Sequence, residues 1–170
     1  MRAEERRQCI LERLRKSTEP VNATTLAGLY SVSRQVIVGD IALLRAAGSD
    51  ITATPRGYII FRPARGLRHQ IACQHGADGM EAELSTIVDC GCIVSDVIVE
   101  HPIYGQLTGH LEISCQEDVQ NFIQRCREAD AQPLSRLTEG IHLHTIFCPD
   151  EDSYQQVLLR LRGLNILLEN

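Results

Sequence analysis

The sequence predicts an α+β protein of two domains, an amino-terminal winged helix-turn-helix followed by a ferredoxin-like split βαβ sandwich. Three observations predict it. Residues 1–62 carry three helical patterns and a short hairpin, whereas residues 67–170 alternate between period two and period 3.6 in the order strand, helix, strand, strand, helix, strand. The charge also changes sign between the two parts: the first 62 residues hold ten Lys and Arg against six Asp and Glu, and the remainder holds seven against sixteen. A positive first third suits a polyanion and an acidic remainder repels one, so nucleic acid is expected on residues 1–62 alone. The division falls at RPARG, residues 62–66, where Pro63 and Gly66 interrupt both patterns.

Composition narrows the class. With 44% hydrophobic and 23% charged residues in a chain of 170, enough apolar surface exists for a folded core. No apolar stretch approaches the ~18 residues of a membrane span, and MRAEERRQ has no apolar run behind its charges, so the expected location is the cytoplasm, away from membranes. Seven cysteines, an odd number without a CxxC pair, read as reduced thiols.

In residues 3–16, Ile10, Leu11 and Leu14 fall on one face of a first helix. A second helix is expected over 24–30, capped by Thr24. A third follows a tight turn, with Ser33 as its cap and Ile37, Ile41 and Leu44 as its buried stripe. Residues 51–62 then read as two short strands joined by Thr54, Pro55, Arg56 and Gly57. In this order the second helix braces the third, whose first turn can enter a major groove. Ser33 opens that turn, and Arg34, Gln35 and Val38 point outward from it. An arginine pairs with guanine, a glutamine with adenine, and a valine meets the thymine methyl. Arg56, at the hairpin tip, is placed for phosphate or a minor groove. Residues 32–48, VSRQVIVGDIALLRAAG, resemble the helix-turn-helix of a large group of bacterial repressors, whose usual pattern is VSRQTI, two residues, then DI and a leucine. Gly39 departs from it, and a glycine inside a helix costs about 1 kcal/mol relative to alanine.

In the second domain, strands are expected at 67–75, 92–101, 106–113 and 140–148. Helices are expected at 78–89, with Asp78 and Glu81 as a capping pair, at 116–129 and at 151–163, before an apolar tail at Leu164 to Leu168. His142 and His144, two apart on one strand, project from the same face and can converge on one ion, although such a pair also suits an ordinary surface strand. On a single helix His75 and Glu83 would stand about 12 Å apart, too far to share an ion. Gly76 and Gly79 supply a turn that leaves His75 at a strand end and Glu83 in the second helical turn, near Met80 and Ile87. There Glu83 is either a ligand or a half-exposed partner of an arginine. Three imidazoles and a carboxylate suit one divalent transition ion per chain, whether zinc, nickel, cobalt or iron, and not magnesium or calcium. His101 shares a face with Val97 and Val99, points inward, and with Tyr104 is the candidate ligand contact. His69 and His110 have no comparable support.

The segments VDCGCIVSDVIVEHPIYG and PLSRLTEGIHLHTI, with the winged helix in front, resemble the niacin-responsive repressors of NAD biosynthesis and niacin uptake. These are built from a winged helix and a three-histidine (3H) domain. The resemblance spans nearly the full chain. It implies a metal-containing, ligand-sensing 3H domain with its donors on His75, Glu83, His142 and His144. It further implies a homodimer, nicotinic acid as co-repressor, and operator DNA upstream of genes for NAD synthesis or niacin transport. The expected protein is thus a transcriptional repressor and not an enzyme. Two other readings fit the donor set: a regulator that senses the metal itself, and a hydrolase in which an open metal position activates water. Against the hydrolase, the second domain offers no further base. Because residues 67–148 hold no cluster of Lys or Arg, the metal is the expected positive centre for a carboxylate ligand.

Overall fold

The computed structural model describes residues 1–60, 66–129 and 132–169. The chain divides into two compact units, Met1–Pro63 and Ala64–Asn170, each around its own apolar core. Apart from Gly66, the linker expected at 62–66 lies outside the described residues.

In the first unit α1 (Ala3–Lys16) buries Ile10, Leu11 and Leu14. The next helix, α2 (Ala23–Tyr30), starts one residue before the expected position. Its cap is Asn22 rather than Thr24: the Asn22 side chain accepts the Thr25 amide at 2.7 Å. Ala23 is buried, so the apolar face of α2 already begins there, and the capping residue must precede it. Ser31 turns the chain with φ 53°, and Ser33 Oγ accepts the Val36 amide at 3.3 Å to open α3 (Arg34–Ala46). Ile37, Ile41 and Leu44 form the buried stripe of α3. Asp40 lies among them at 4% exposure, its carboxylate accepting Arg6 Nε at 2.6 Å and Nη2 at 3.3 Å, which ties α3 to α1. A bidentate arginine satisfies both oxygens of a buried carboxylate, and this accounts for the aspartate in the DI pair. The wing is β1 (Thr52–Thr54) antiparallel to β2 (Gly57–Ile59), with Tyr58 bridging back to Val21.

The second unit runs β3 (Leu67–Gln74), α4 (Met80–Asp89), β4 (Ile93–His101), β5 (Gly105–Ile113), α5 (Gln116–Glu128), β6 (Ile141–Cys148) and α6 (Glu151–Gly163). Short 3-10 turns precede α4 at Ala77–Gly79 and β6 at Leu134–Thr138. The α+β class and the split βαβ succession are those expected. The strand order, β3-β6-β4-β5 with every neighbouring pair antiparallel, departs from the ferredoxin-like one, in which the third strand would separate the first two. Here the last strand does so. Its side chains give the reason: β6 presents Ile146 and Cys148, both fully buried, and suits an interior position. β5 carries Gln106, Thr108, His110 and Glu112 on one face and tolerates an edge.

One face of the sheet meets α4, α5 and α6 in a single core that includes Ile71, Leu84, Ile87, Val94, Val119, Ile146, Val157 and Leu161. The tail closes the β3 edge: the Gln74 amide donates to the Ile166 carbonyl at 2.8 Å and the Leu168 amide to the Ala72 carbonyl at 2.9 Å. Asp78 and Glu81 form no capping pair, because the 3-10 turn delays α4 to Met80 and no side chain caps it. Glu81 instead takes Gln120 Nε2 at 2.9 Å, on α5.

Candidate metal centre and DNA-facing helix

Three histidines and a glutamate meet where β3, α4 and β6 come together. Alternation along β6 sends His142 and His144 to the helix-covered face together with Ile146 and Cys148. Glu83 lies in the first turn of α4 rather than the second, because the helix starts at Met80, and at 1% exposure it is a core residue rather than a half-exposed one. His75 follows the end of β3. Two glycines make its place: a Cβ on Gly79 would come within 2.6 Å of the His75 ring, and one on Gly140, at φ 89°, would strike the His75 carbonyl.

All three imidazoles turn Nε2 toward the same carboxylate. His75 Nε2 lies 2.6 Å from Glu83 Oε2, His142 Nε2 3.1 Å from Oε1, and His144 Nε2 3.3 Å from Oε2. All three also turn Nδ1 toward a backbone carbonyl: Gly76 at 2.6 Å, Gly140 at 2.9 Å and Asp96 at 2.6 Å. A carbonyl only accepts, so each Nδ1 must donate, and a neutral ring then carries its lone pair on Nε2. Three lone pairs and a buried carboxylate aimed at one region repel one another unless a proton or a cation stands among them. With protons, the hydrogen bonds and charge of Glu83 outweigh burial and raise His75 and His144 above the usual histidine value. In return the three imidazoles outweigh the burial of Glu83 and hold its carboxyl well below the usual carboxylate range. With a cation, four donors, each ring oriented by a carbonyl, match the manner in which proteins hold divalent transition ions.

A cavity of about 230 Å³ opens beside this cluster, lined by His75, Gly76, Ala77, Pro133, Ser135, Arg136, Glu139 and Gly140. It is smaller than the ~300–1,000 Å³ of sites for drug-sized ligands and suits a single substituted ring. Arg136 and Glu139 bring one charge of each sign to it.

On the first unit, Arg34 and Gln35 are exposed at the start of α3, which is where a groove-reading pair belongs. Ser33 is exposed, with its hydroxyl engaged in the cap.

The chain matches an HTH domain over residues 6–59 and a 3H domain over residues 68–170. It is 41% identical over 166 residues to the probable transcription repressor NiaR of Thermotoga maritima, covering 98% of this chain and 95% of that protein. It is also 41% identical over 170 residues to the transcription repressor NadR of Bacillus subtilis, covering 97% and 94%. The chain belongs to the NiaR family of transcription repressors. Its relatives are named transcription repressors, so this NiaR-family chain is a regulator and the hydrolase reading falls away.

Several expected positions shift within this NiaR-family frame. Val38, one residue after the fully buried Ile37, is half-buried rather than outward, and Val36, at 38% exposure, lies outward beside Gln35. Arg56 is held by Glu19, Nη2 to Oε2 at 2.5 Å. His101 is half-exposed, not inward: its Nδ1 accepts the amides of Ile103 and Tyr104 at 3.2 and 3.3 Å and so fastens the β4–β5 turn. Tyr104 is 72% exposed, and neither residue lines the cavity beside His75. His101 thus shapes the hairpin that carries Tyr104. His69 stacks on Tyr154 with ring centroids 3.6 Å apart, and His110 is exposed. Sequence reasoning missed Asp40 and Arg136. The buried position of Asp40 was visible, since it lies between Ile37 and Ile41. Arg136, in an irregular stretch, carried no periodic signal. Among the described residues, no helix is long and apolar enough to cross a membrane.

Proposed function

We propose that this protein is a homodimeric, cytoplasmic repressor of genes for NAD biosynthesis or niacin uptake, and that nicotinic acid is its co-repressor. His75, Glu83, His142 and His144 hold one divalent transition ion, which supplies a fixed positive charge and open coordination positions. The observation that carries this reading is that His75 belongs both to the four-donor cluster and to the wall of the adjoining cavity. A ligand seated there touches the centre. Arg136 adds a second positive group on the same wall, suited to a carboxylate, while Glu139 penalises an anion that does not reach Arg136. Nicotinic acid, a single ring with a carboxylate and a ring nitrogen, matches this pairing of cation and metal.

Operator binding titrated with and without nicotinic acid, in metal-loaded and chelator-stripped protein, tests the proposal. The expected result is tight binding only when both are present. Binding switched by metal alone, with nicotinic acid inert, would make the protein a metal sensor instead. By linkage, whatever factor nicotinic acid adds to DNA affinity, DNA adds to nicotinic acid affinity, typically ~1–3 kcal/mol of coupling.

A further inference from the structure

A fifth side chain reaches the four-donor cluster. Cys73 lies on β3 directly opposite His142 in the β3–β6 register, and directly opposed residues of antiparallel strands project from the same face. It is fully buried. Among the described residues, Cys73, Glu83 and His142 form the one group of three such side chains whose ligand atoms all lie within 4.8 Å of one another. Burial first, and the neighbouring Glu83 carboxylate second, push the Cys73 thiol well above the ordinary thiol value. The other two fully buried cysteines, Cys92 and Cys148, lie outside this group, and the Cys92 thiol donates to the Cys90 carbonyl.

We propose that Cys73 is a fifth donor and binds the ion through its thiolate. This rests on the metal reading of the cluster. On binding, the S–H bond breaks, a sulfur–metal bond forms, and the proton leaves to water. Glu83 and Cys73 together then balance the two positive charges of the ion. A thiolate beside three imidazoles turns selection toward zinc, cobalt, nickel and ferrous iron, and away from manganese and magnesium, which prefer oxygen shells.

The competing role is a thiol that donates to Glu83 and orients it. Losing such a support would itself lower metal affinity by ~10–100-fold, so affinity does not decide between the two. Sulfur signatures do. X-ray absorption on the zinc-loaded full-length protein should show one sulfur at about 2.3 Å beside nitrogen and oxygen at about 2.0–2.2 Å. Cobalt-loaded protein should show a thiolate-to-metal charge-transfer band, absent from Cys73→Ser carrying the same amount of cobalt and an unchanged circular dichroism spectrum. A first shell of nitrogen and oxygen alone, or a spectrum that Cys73→Ser leaves unaltered, overturns the proposal while leaving the four-donor reading intact. Failure of the wild-type protein to hold a stoichiometric ion overturns both.

Discussion

His142 Nε2 stands 3.1 Å from Glu83 Oε1, although the two residues are 59 positions apart in the chain, and both side chains are almost completely buried. An imidazole whose Nδ1 is committed to the Gly140 carbonyl can offer that contact only a lone pair or a second proton. The contact therefore needs a proton or a cation between the two groups.

Removing the carboxylate should consequently be costly in two ways. Glu83→Ala should abolish stoichiometric metal binding and destabilise the second domain by ~3–5 kcal/mol, because it leaves three buried imidazoles without their counter-charge. His144→Ala should also release the ion. Elemental analysis and urea unfolding measure both effects. A full complement of metal in either variant would rule out the donor set.

Stability should depend on pH in opposite senses with and without metal. In chelator-stripped protein, His75 and His144 are raised, so their contribution is complete below the ordinary value of about 6.5 and is lost as pH rises through the folded values. Glu83 is lowered, so its contribution is present above about 4.3 and is lost as pH falls through its folded value. The stripped domain should therefore be most stable between about pH 4.3 and 6.5 and weaken toward pH 8. The loaded domain should strengthen over that upper range, since protons compete with the ion for Nε2. Urea midpoints followed across pH in chelator and in excess zinc give the two curves, and parallel curves would contradict the assignment.

Arg136→Gln tests the cavity. A charge-assisted hydrogen bond contributes roughly 1.5–3 kcal/mol, so this exposed variant should fold normally, keep its metal, and bind nicotinic acid ~10–100-fold more weakly. Its preference for the acid over nicotinamide should shrink by the same factor. Calorimetry on the loaded protein measures this, and an undiminished preference would return the carboxylate to the metal alone.

Arg34→Ala and Gln35→Ala should each cost about 1–3 kcal/mol at the operator while leaving random-sequence binding nearly unchanged, as expected of base contacts. Arg56→Ala should weaken all DNA alike and lower the salt slope by about one. Glu19→Ala releases Arg56 from its ion pair and should act in the opposite direction. Gel-shift titrations over a range of salt separate the three behaviours.

Gly39 is exposed in α3, and an added Cβ would meet nothing within 4 Å. Gly39→Ala should therefore stabilise the first domain by about 0.5–1 kcal/mol. A loss of operator binding in a more stable protein would show that the DNA backbone approaches α3 closely at this position.

Features set by neighbours in sequence were legible in the chain itself. The stripe of Ile37, Ile41 and Leu44, the cap at Ser33, the alternation that puts His142 and His144 on one face, and the turn that separates His75 from Glu83 all arise from helix and strand periods or from the conformations of single residues. Which strand fills the gap between β3 and β4 has no such local cause, since both sheet orders satisfy the same alternation, and burial of β6 decides it. That placement lays β6 beside β4 and so gives His144 Nδ1 its carbonyl partner, Asp96. It also leaves His101 to brace a hairpin, because a period-two pattern says which face a side chain takes but not what covers that face. The partnership of Asp40 with Arg6, 34 residues away, is of the same kind: the sequence places a carboxylate on a buried stripe, and only the packing of α1 against α3 supplies the cation that makes it tolerable there.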